Sequence, residues 1–515
     1  MSDTVEADLV LVNARLWSPG HAKPWNGAIA LGGGKIVRVG SNEKCEADAA
    51  TDAGILDMDR RLVLPSFIDA HAHLLHTGPR MNWVQLDKIQ SLRGLLAVIG
   101  RESKKSGWVL GRSWDESKWP ERRFPTRREL DELAGRRPVF LRRVDGHMAV
   151  VNTASLKLLK IPRDTKGFDK DSRGVPTGVI REKALEIAGE RLRPTVGELV
   201  DCFPRMRQMA YRHGITSFHD VVDSRGMQAY RMLHREGRLG LRVSMMPLFK
   251  PLSRLMRQRR NGDEWLRIGG LKGFADGSFG SRTAALYEPY QDDKKEYGML
   301  IHRIDSLKRM VKDAHRQGFQ LAIHAIGDKA IDEVVDAYEL ALDERPMENH
   351  RHRIEHFELP TEGALDRCRN LGVLPVMQPN FVMEWGLPGG MYDARLGAKR
   401  AKKSNPHRLI LAKGLRFAFG SDGMPYGPIY GLQGAVCPPH PDQKISLDGA
   451  LEAYTLGGAF ASFEENVKGA LVPGMFADLA VVEGSWSGVG LRHWKVAATI
   501  IDGRVVFKIP AIGRA

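Results

Sequence analysis

Leu64-Pro65-Ser66-Phe67-Ile68-Asp69-Ala70-His71-Ala72-His73 is the stretch on which the fold of this chain turns. It opens apolar, reads as a strand, and closes on two histidines one residue apart. Residues i and i+2 of a strand project to the same side, so both imidazoles aim at one point. That is what a metal ion requires of its first two ligands. Two polar residues in a loop after a strand would look the same locally, and what decides between them lies further along the chain.

Seven more apolar runs of strand character follow, at 215–220, 242–247, 268–276, 320–324, 353–356, 373–378 and 416–422, with helical stretches such as 328–342 between several of them. This alternation is the pattern of parallel βα units. Eight such units predict an α/β chain built on a (β/α)8 TIM-like barrel, whose chemistry sits at the C-terminal ends of the strands. The barrel is expected over 64–76 and 205–458. The connection between the first two runs exceeds any ordinary βα loop. With its own strand candidate at 138–143 and several aromatics, 77–204 reads as an inserted subdomain leaning over the barrel mouth.

The ends of the chain are alike. Residues 8–12, 28–31 and 36–39 are strand candidates, and Gly32-Gly33-Gly34-Lys35 joins the last two. These glycines have neither the phosphate-loop spacing nor a following helix, so they predict a hairpin turn. At the other end 478–482 and 496–501 are strands, and Asp502-Gly503 is a strong hairpin signal. Neither end holds enough strands to stand alone. Residues 1–63 and 459–515 are therefore expected to form one small β-sandwich domain.

An apolar content of 43% and a charged content of 27% exclude disorder as the dominant state. No run approaches the roughly 20 apolar residues of a membrane span. The opening Met1-Ser2-Asp3-Thr4-Val5-Glu6-Ala7-Asp8 is acidic and does not read as a signal peptide. Four cysteines, Cys45, Cys202, Cys368 and Cys437, lie far apart, which predicts a reduced, cytoplasmic protein without disulfides. The net charge is +15, with eight Lys or Arg and no acidic residue from Arg395 to Arg416. A second basic cluster, Arg254, Arg257, Arg259 and Arg260, has helical spacing. Without a recognition motif or interleaved aromatics these patches predict a solvated face and no specific nucleic-acid partner.

Polar residues close five of the eight runs: His71 and His73, Lys272, His324, His356 and Asp422. Singly, each has an ordinary explanation. Lys272 could be a surface lysine, His324 and His356 core-margin histidines, and Asp422 a cap or turn residue. Six of them together at strand ends are harder to explain that way.

The chain resembles the amidohydrolase superfamily, and within it the amidohydrolase family 3 branch of N-substituted formamide deformylases and D-aminoacylase relatives. The likeness rests on Pro65 to His73, Trp114-Asp115-Glu116-Ser117-Lys118-Trp119-Pro120 and Arg142-Arg143-Val144-Asp145-Gly146-His147. It continues in Lys272-Gly273-Phe274-Ala275-Asp276-Gly277-Ser278-Phe279-Gly280-Ser281-Arg282 and His324-Ala325-Ile326-Gly327-Asp328. One departure is Ser66, where the family often has glycine.

The resemblance implies a metal-dependent hydrolase of a carbon–nitrogen bond in a small amide, N-acyl or N-formyl compound. His71 and His73 would bind one divalent ion, and His324 and His356 a second or the rest of the first. Zn²⁺ suits the histidine-rich set, with one or two ions per chain. Lys272 would match the lysine that carries CO₂ as a carbamate in part of the superfamily, which needs a neutral amine. Asp422 would take the proton of a metal-activated water and pass it to the leaving amine. Trp114, Asp115, Trp119, Arg143 and His147 of the insertion, and Asp276, Ser278 and Arg282 after the fourth strand, would contact substrate. The tryptophans could equally be buried inside the insertion. Asp69 would orient a ligand histidine, and His219-Asp220 carries no assigned role. The same site would serve an ester, lactone or cyclic amide. A non-catalytic nucleic-acid-binding protein is the reading from another class. A homodimer is the default for this size.

Overall fold

Ser66 cuts the opening run in two. Leu62–Pro65 is buried throughout and belongs to the sheet made by the chain ends, while β1 (Phe67–Ala72) begins a separate set of parallel strands. The Ser66 hydroxyl meets that of Thr216 at 2.5 Å, so the break is pinned by a polar contact. The computed structural model describes residues 6–80, 83–116, 119–143, 148–249, 262–486 and 489–513. His147 and the cluster Arg254, Arg257, Arg259 and Arg260 fall outside these residues. The chain forms two compact units, 1–75 with 203–515, and 76–202.

In the larger unit, β1 pairs with β2 (Ile215–Val222), β2 with β3 (Arg242–Pro247), and β3 with β4 (Leu266–Ile268), all parallel. A second parallel set runs β5 (Leu271–Phe274), β6 (Leu321–Ala325), β7 (Arg353–His356), β8 (Leu374–Met377) and β9 (Ala418–Phe419). Strands buried on both faces suit this arrangement, and β1, β2, β3 and β7 have no exposed position. The fourth predicted strand is interrupted at Gly269-Gly270, so its first part pairs with β3 and its second with β6. The arcs meet through one bridge, Leu248 with Lys272. At the other seam the Asp422 N–H donates to the His71 carbonyl at 2.8 Å, without a ladder. The chain is α/β as expected and its strands run in sequence order, while the hydrogen-bonded ladder forms two arcs and not one continuous ring.

The chain ends build one mixed eight-stranded sheet rather than the two sheets of the expected sandwich. Leu62–Pro65 is the reason. It pairs parallel with Arg15-Leu16 and antiparallel with Leu479 to Val482, carrying the hydrogen bonds from one chain end to the other. Leu11, Leu16, Ile29, Val63, Leu479 and Ile500 share one core. Gly33-Gly34 and Asp502-Gly503 form the predicted hairpin turns, with positive φ at all four residues.

The 76–202 unit has a six-stranded mixed sheet that includes Val109–Trp114 and Val139–Arg143. Helix Arg127–Ala134 packs there, started by a capping box in which Thr126 and Glu129 satisfy each other's main-chain N–H. None of the four cysteines is in a disulfide. No described helix is long and apolar enough to cross a membrane.

Candidate metal centre

β1 and the turn after β9 bring three donors together. One donor atom each from His71, His73 and Asp422 lie within 4.8 Å of one another. Asp422 Oδ1 is 3.1 Å from His73 Nε2 and 3.5 Å from His71 Nε2. Side-chain exposure rises from 0% at His71 through 16% at Asp422 to 33% at His73, so the cluster is reached from the His73 side. Burial opposes ionisation of Asp422, but the His71 and His73 rings beside it outweigh it and hold the carboxyl well below the carboxylate range.

The approach of β1 to the β9 turn is steric as well as polar. A Cβ on Gly420 would lie 2.4 Å from the His71 nitrogen, so only glycine fits. Asp69 accepts from the Ser421 N–H at 2.8 Å and from its hydroxyl. Asn380 donates to the carbonyls of Ser421 and Met424, each at 2.8 Å. Asp69 therefore holds the turn that carries Asp422, where the expectation had it orienting a histidine ring. Burial raises its carboxyl to about 7, against the bonds from Ser421. Asp422 has φ 54° and His356 φ 75°, left-handed values that cost of order 1–3 kcal/mol each outside glycine.

The other strand-end histidines join the cluster. The His71 and His356 rings are 4.9 Å apart, and those of His356 and His324 4.4 Å. Phe381 lies parallel to the His356 ring at 6.0 Å. His324 donates through Nε2 to the Gly277 carbonyl at 2.9 Å, which leaves the lone pair of the neutral ring on Nδ1. Burial and the Lys272 charge push its pKa down to about 3, and His356 is held far below its usual value by burial and the two neighbouring rings. Lys272 is buried, and desolvation lowers its ammonium to about 8, partly countered by Glu355 and Asp422.

His71 Nε2, His356 Nδ1 and Lys272 Nζ are buried without a hydrogen-bond partner among the described residues. Buried polar atoms are nearly always paired, so three such atoms in one place mark a position prepared for something else. Neutral imidazoles and a carboxylate are the donors of a divalent transition-metal site, and Lys272 beside them loses its proton far more readily than a free lysine. The donor set fits a metal ion.

The expected substrate residues have diverse surroundings. Trp114 and Trp119 are buried in the core of the 76–202 unit, stacked at 5.8 Å, and donate to the Leu141 and Ile89 carbonyls. Both pack there, in the core of that unit. Arg143 holds Glu116 by two hydrogen bonds at 2.8 and 3.0 Å and lies 3.6 Å from Asp115. Asp276 is buried and clamps the loops by accepting from Ala285, Ile326 and Gly327, with burial raising it to about 7. Its Oδ1 also lies 3.5 Å from His324 Nε2. Ser278 is exposed and bonded to Ser281, and Arg282 is paired with Asp292. Asp220 accepts from Leu74, Leu75 and Tyr230, a structural role. Glu355, Arg353 and Asn380 were missed. Arg353 and Glu355 stand i and i+2 in a strand, the spacing used for the histidines, and two opposite charges in a fully buried four-residue strand were the available signal.

The sequence matches the profile of the amidohydrolase family over residues 55–507. It is 28% identical to the N-substituted formamide deformylase of Arthrobacter pascens, over 96% of this chain and 97% of that one. A metal-dependent hydrolase of Pyrococcus horikoshii OT3 is 30% identical, with TM-score 0.81 over 92% of this chain and 97% of that structure. One from Pyrococcus furiosus is 28% identical, again with TM-score 0.81, over 92% and 98%. With the family profile matched over most of its length and a metal-type donor cluster at the strand ends, this chain belongs to the amidohydrolase family.

Proposed function

We propose that the protein is a metal-dependent hydrolase of a carbon–nitrogen bond in a small amide, N-acyl or N-formyl compound. The observation that carries this is the set of unpartnered buried atoms, His71 Nε2, His356 Nδ1 and Lys272 Nζ, at the strand ends that also carry the His71–His73–Asp422 cluster. His71, His73, His324, His356 and Asp422 would hold one or two divalent ions, Zn²⁺ by the nature of the donors. Such an ion lowers the pKa of water towards about 7 and so makes hydroxide available at neutral pH. Asp422 is ionised at neutral pH, the state in which its carboxylate takes a proton, and it then returns that proton to the leaving nitrogen. Lys272, whose ammonium burial lowers to about 8, gives up its proton more readily than a free lysine and is suited to add CO₂ as a carbamate, the neutral amine forming the new C–N bond and losing a proton. The likeness to a formamide deformylase favours amides over other acyl compounds.

The test is a panel of N-formyl and N-acyl amines beside matched esters and lactones, assayed on metal-loaded chain and on its His73→Ala variant. Turnover of the amides that is lost in the variant is the expected result. Activity confined to esters or lactones, or unchanged in His73→Ala, overturns the proposal.

A further inference from the structure

The buried Glu355–Arg353 pair stands directly behind the candidate metal centre, and nothing in the mechanism above uses it. Glu355 lies fully inside the fold, its carboxylate against His71 Nδ1. Arg353 grips the same carboxylate with Nε at 2.7 Å and Nη2 at 2.9 Å. It also donates to the Ala70 carbonyl at 2.6 Å and to His219 Nδ1 at 2.9 Å. One guanidinium thus ties β7 to β1 and β2 and fixes where the Glu355 oxygens sit. An unpaired buried carboxylate would be expensive, and this one is paired on every side the structure shows.

The consequence is a choice of tautomer. An ionised carboxylate only accepts, so the His71 nitrogen facing it must carry the proton. In a neutral ring the lone pair is then on Nε2, the atom 3.5 Å from Asp422 Oδ1 that has no hydrogen-bond partner. Two acceptors facing each other need a cation between them. The geometry points to Glu355, clamped by Arg353, as the positioning residue that presents the His71 Nε2 lone pair to a divalent ion. The inference rests on the metal reading of the site and adds to it the residue that sets its affinity. Glu355 touches neither substrate nor reacting atoms and acts through His71.

The experiment is Zn²⁺ affinity of the metal-free chain, by competition with a chromogenic chelator, for wild type and Glu355→Gln. An amide at 355 offers a donor where only acceptors fit, so it disturbs the Arg353 grip or the His71 tautomer. The expected loss is about 10–100-fold. Affinity of Glu355→Gln within twofold of wild type, in a folded chain, overturns the inference and leaves the metal reading standing. A wild-type chain that binds no Zn²⁺ overturns both. Should the variant not fold, neutron diffraction on metal-loaded wild-type crystals decides. Deuterium on His71 Nδ1 with a bare Nε2 supports the role, and a bare Nδ1 overturns it.

Discussion

The histidine cluster at the strand ends and the tryptophan cluster of the 76–202 unit are both buried groups of closely packed rings. Their difference lies in the polar atoms. Trp114 and Trp119 each send the indole N–H to a main-chain carbonyl, so nothing in that cluster awaits a partner. Among the histidines, His71 Nε2 and His356 Nδ1 are left over, with Lys272 Nζ beside them. A buried ring whose polar atom is satisfied is architecture. One whose polar atom is not satisfied lowers stability by roughly 1–3 kcal/mol unless water or a ligand completes it, and several of them gathered at donor-rich strand ends suit a ligand.

That contrast can be broken first at Asp422. Replacing it by Asn keeps the shape and removes the proton acceptor. Turnover should fall about 10²- to 10⁴-fold, the usual contribution of a positioned acid–base group. Steady-state kinetics on the substrate found by the panel is the check. Activity within tenfold of wild type would take proton transfer away from Asp422.

The opposite behaviour is expected of Trp114→Ala. Removing a fully buried indole typically costs about 3–5 kcal/mol of stability. Denaturant titration should show this loss, while Zn²⁺ affinity of the folded chain stays within twofold. An equal loss of metal affinity would erase the distinction between the two clusters.

How much of this was legible in the sequence differs by link. The strands were, because parallel strands buried on both faces appear as apolar runs, and all eight runs contain an observed strand. Their partition was not. Ser66 and Gly269-Gly270 sit inside continuous apolar stretches, and only pairing partners show that one run serves two sheets or two arcs. At the centre, the donors that end strands stood out by position. The residues behind them did not. Glu355 hides beside His356, Asn380 lies beyond β8, and each matters through a hydrogen bond to a residue distant in sequence. Asp276 is similar: its place after the fourth strand is legible, and its three main-chain partners are visible only in three dimensions.

The smallest expected effect concerns Lys272 and sharpens the contrast by a pH dependence. Burial lowers its ammonium from 10.5 to about 8, so the folded chain disfavours the charge that the unfolded chain carries freely. The sign follows from linkage: the penalty is fully present below about pH 8 and fades as pH rises to about 10.5, where both states are neutral. In metal-free chain, Lys272→Met should therefore raise stability at pH 7, by at most about 3 kcal/mol. The gain should shrink steadily between pH 8 and 10.5. Urea midpoints of both chains across that range measure it. A Lys272→Met chain less stable than wild type at pH 7 would mean that Glu355 and Asp422 hold the ammonium in place. Lys272 would then belong with the satisfied groups, beside the tryptophans, and its suitability for a carbamate would go with it.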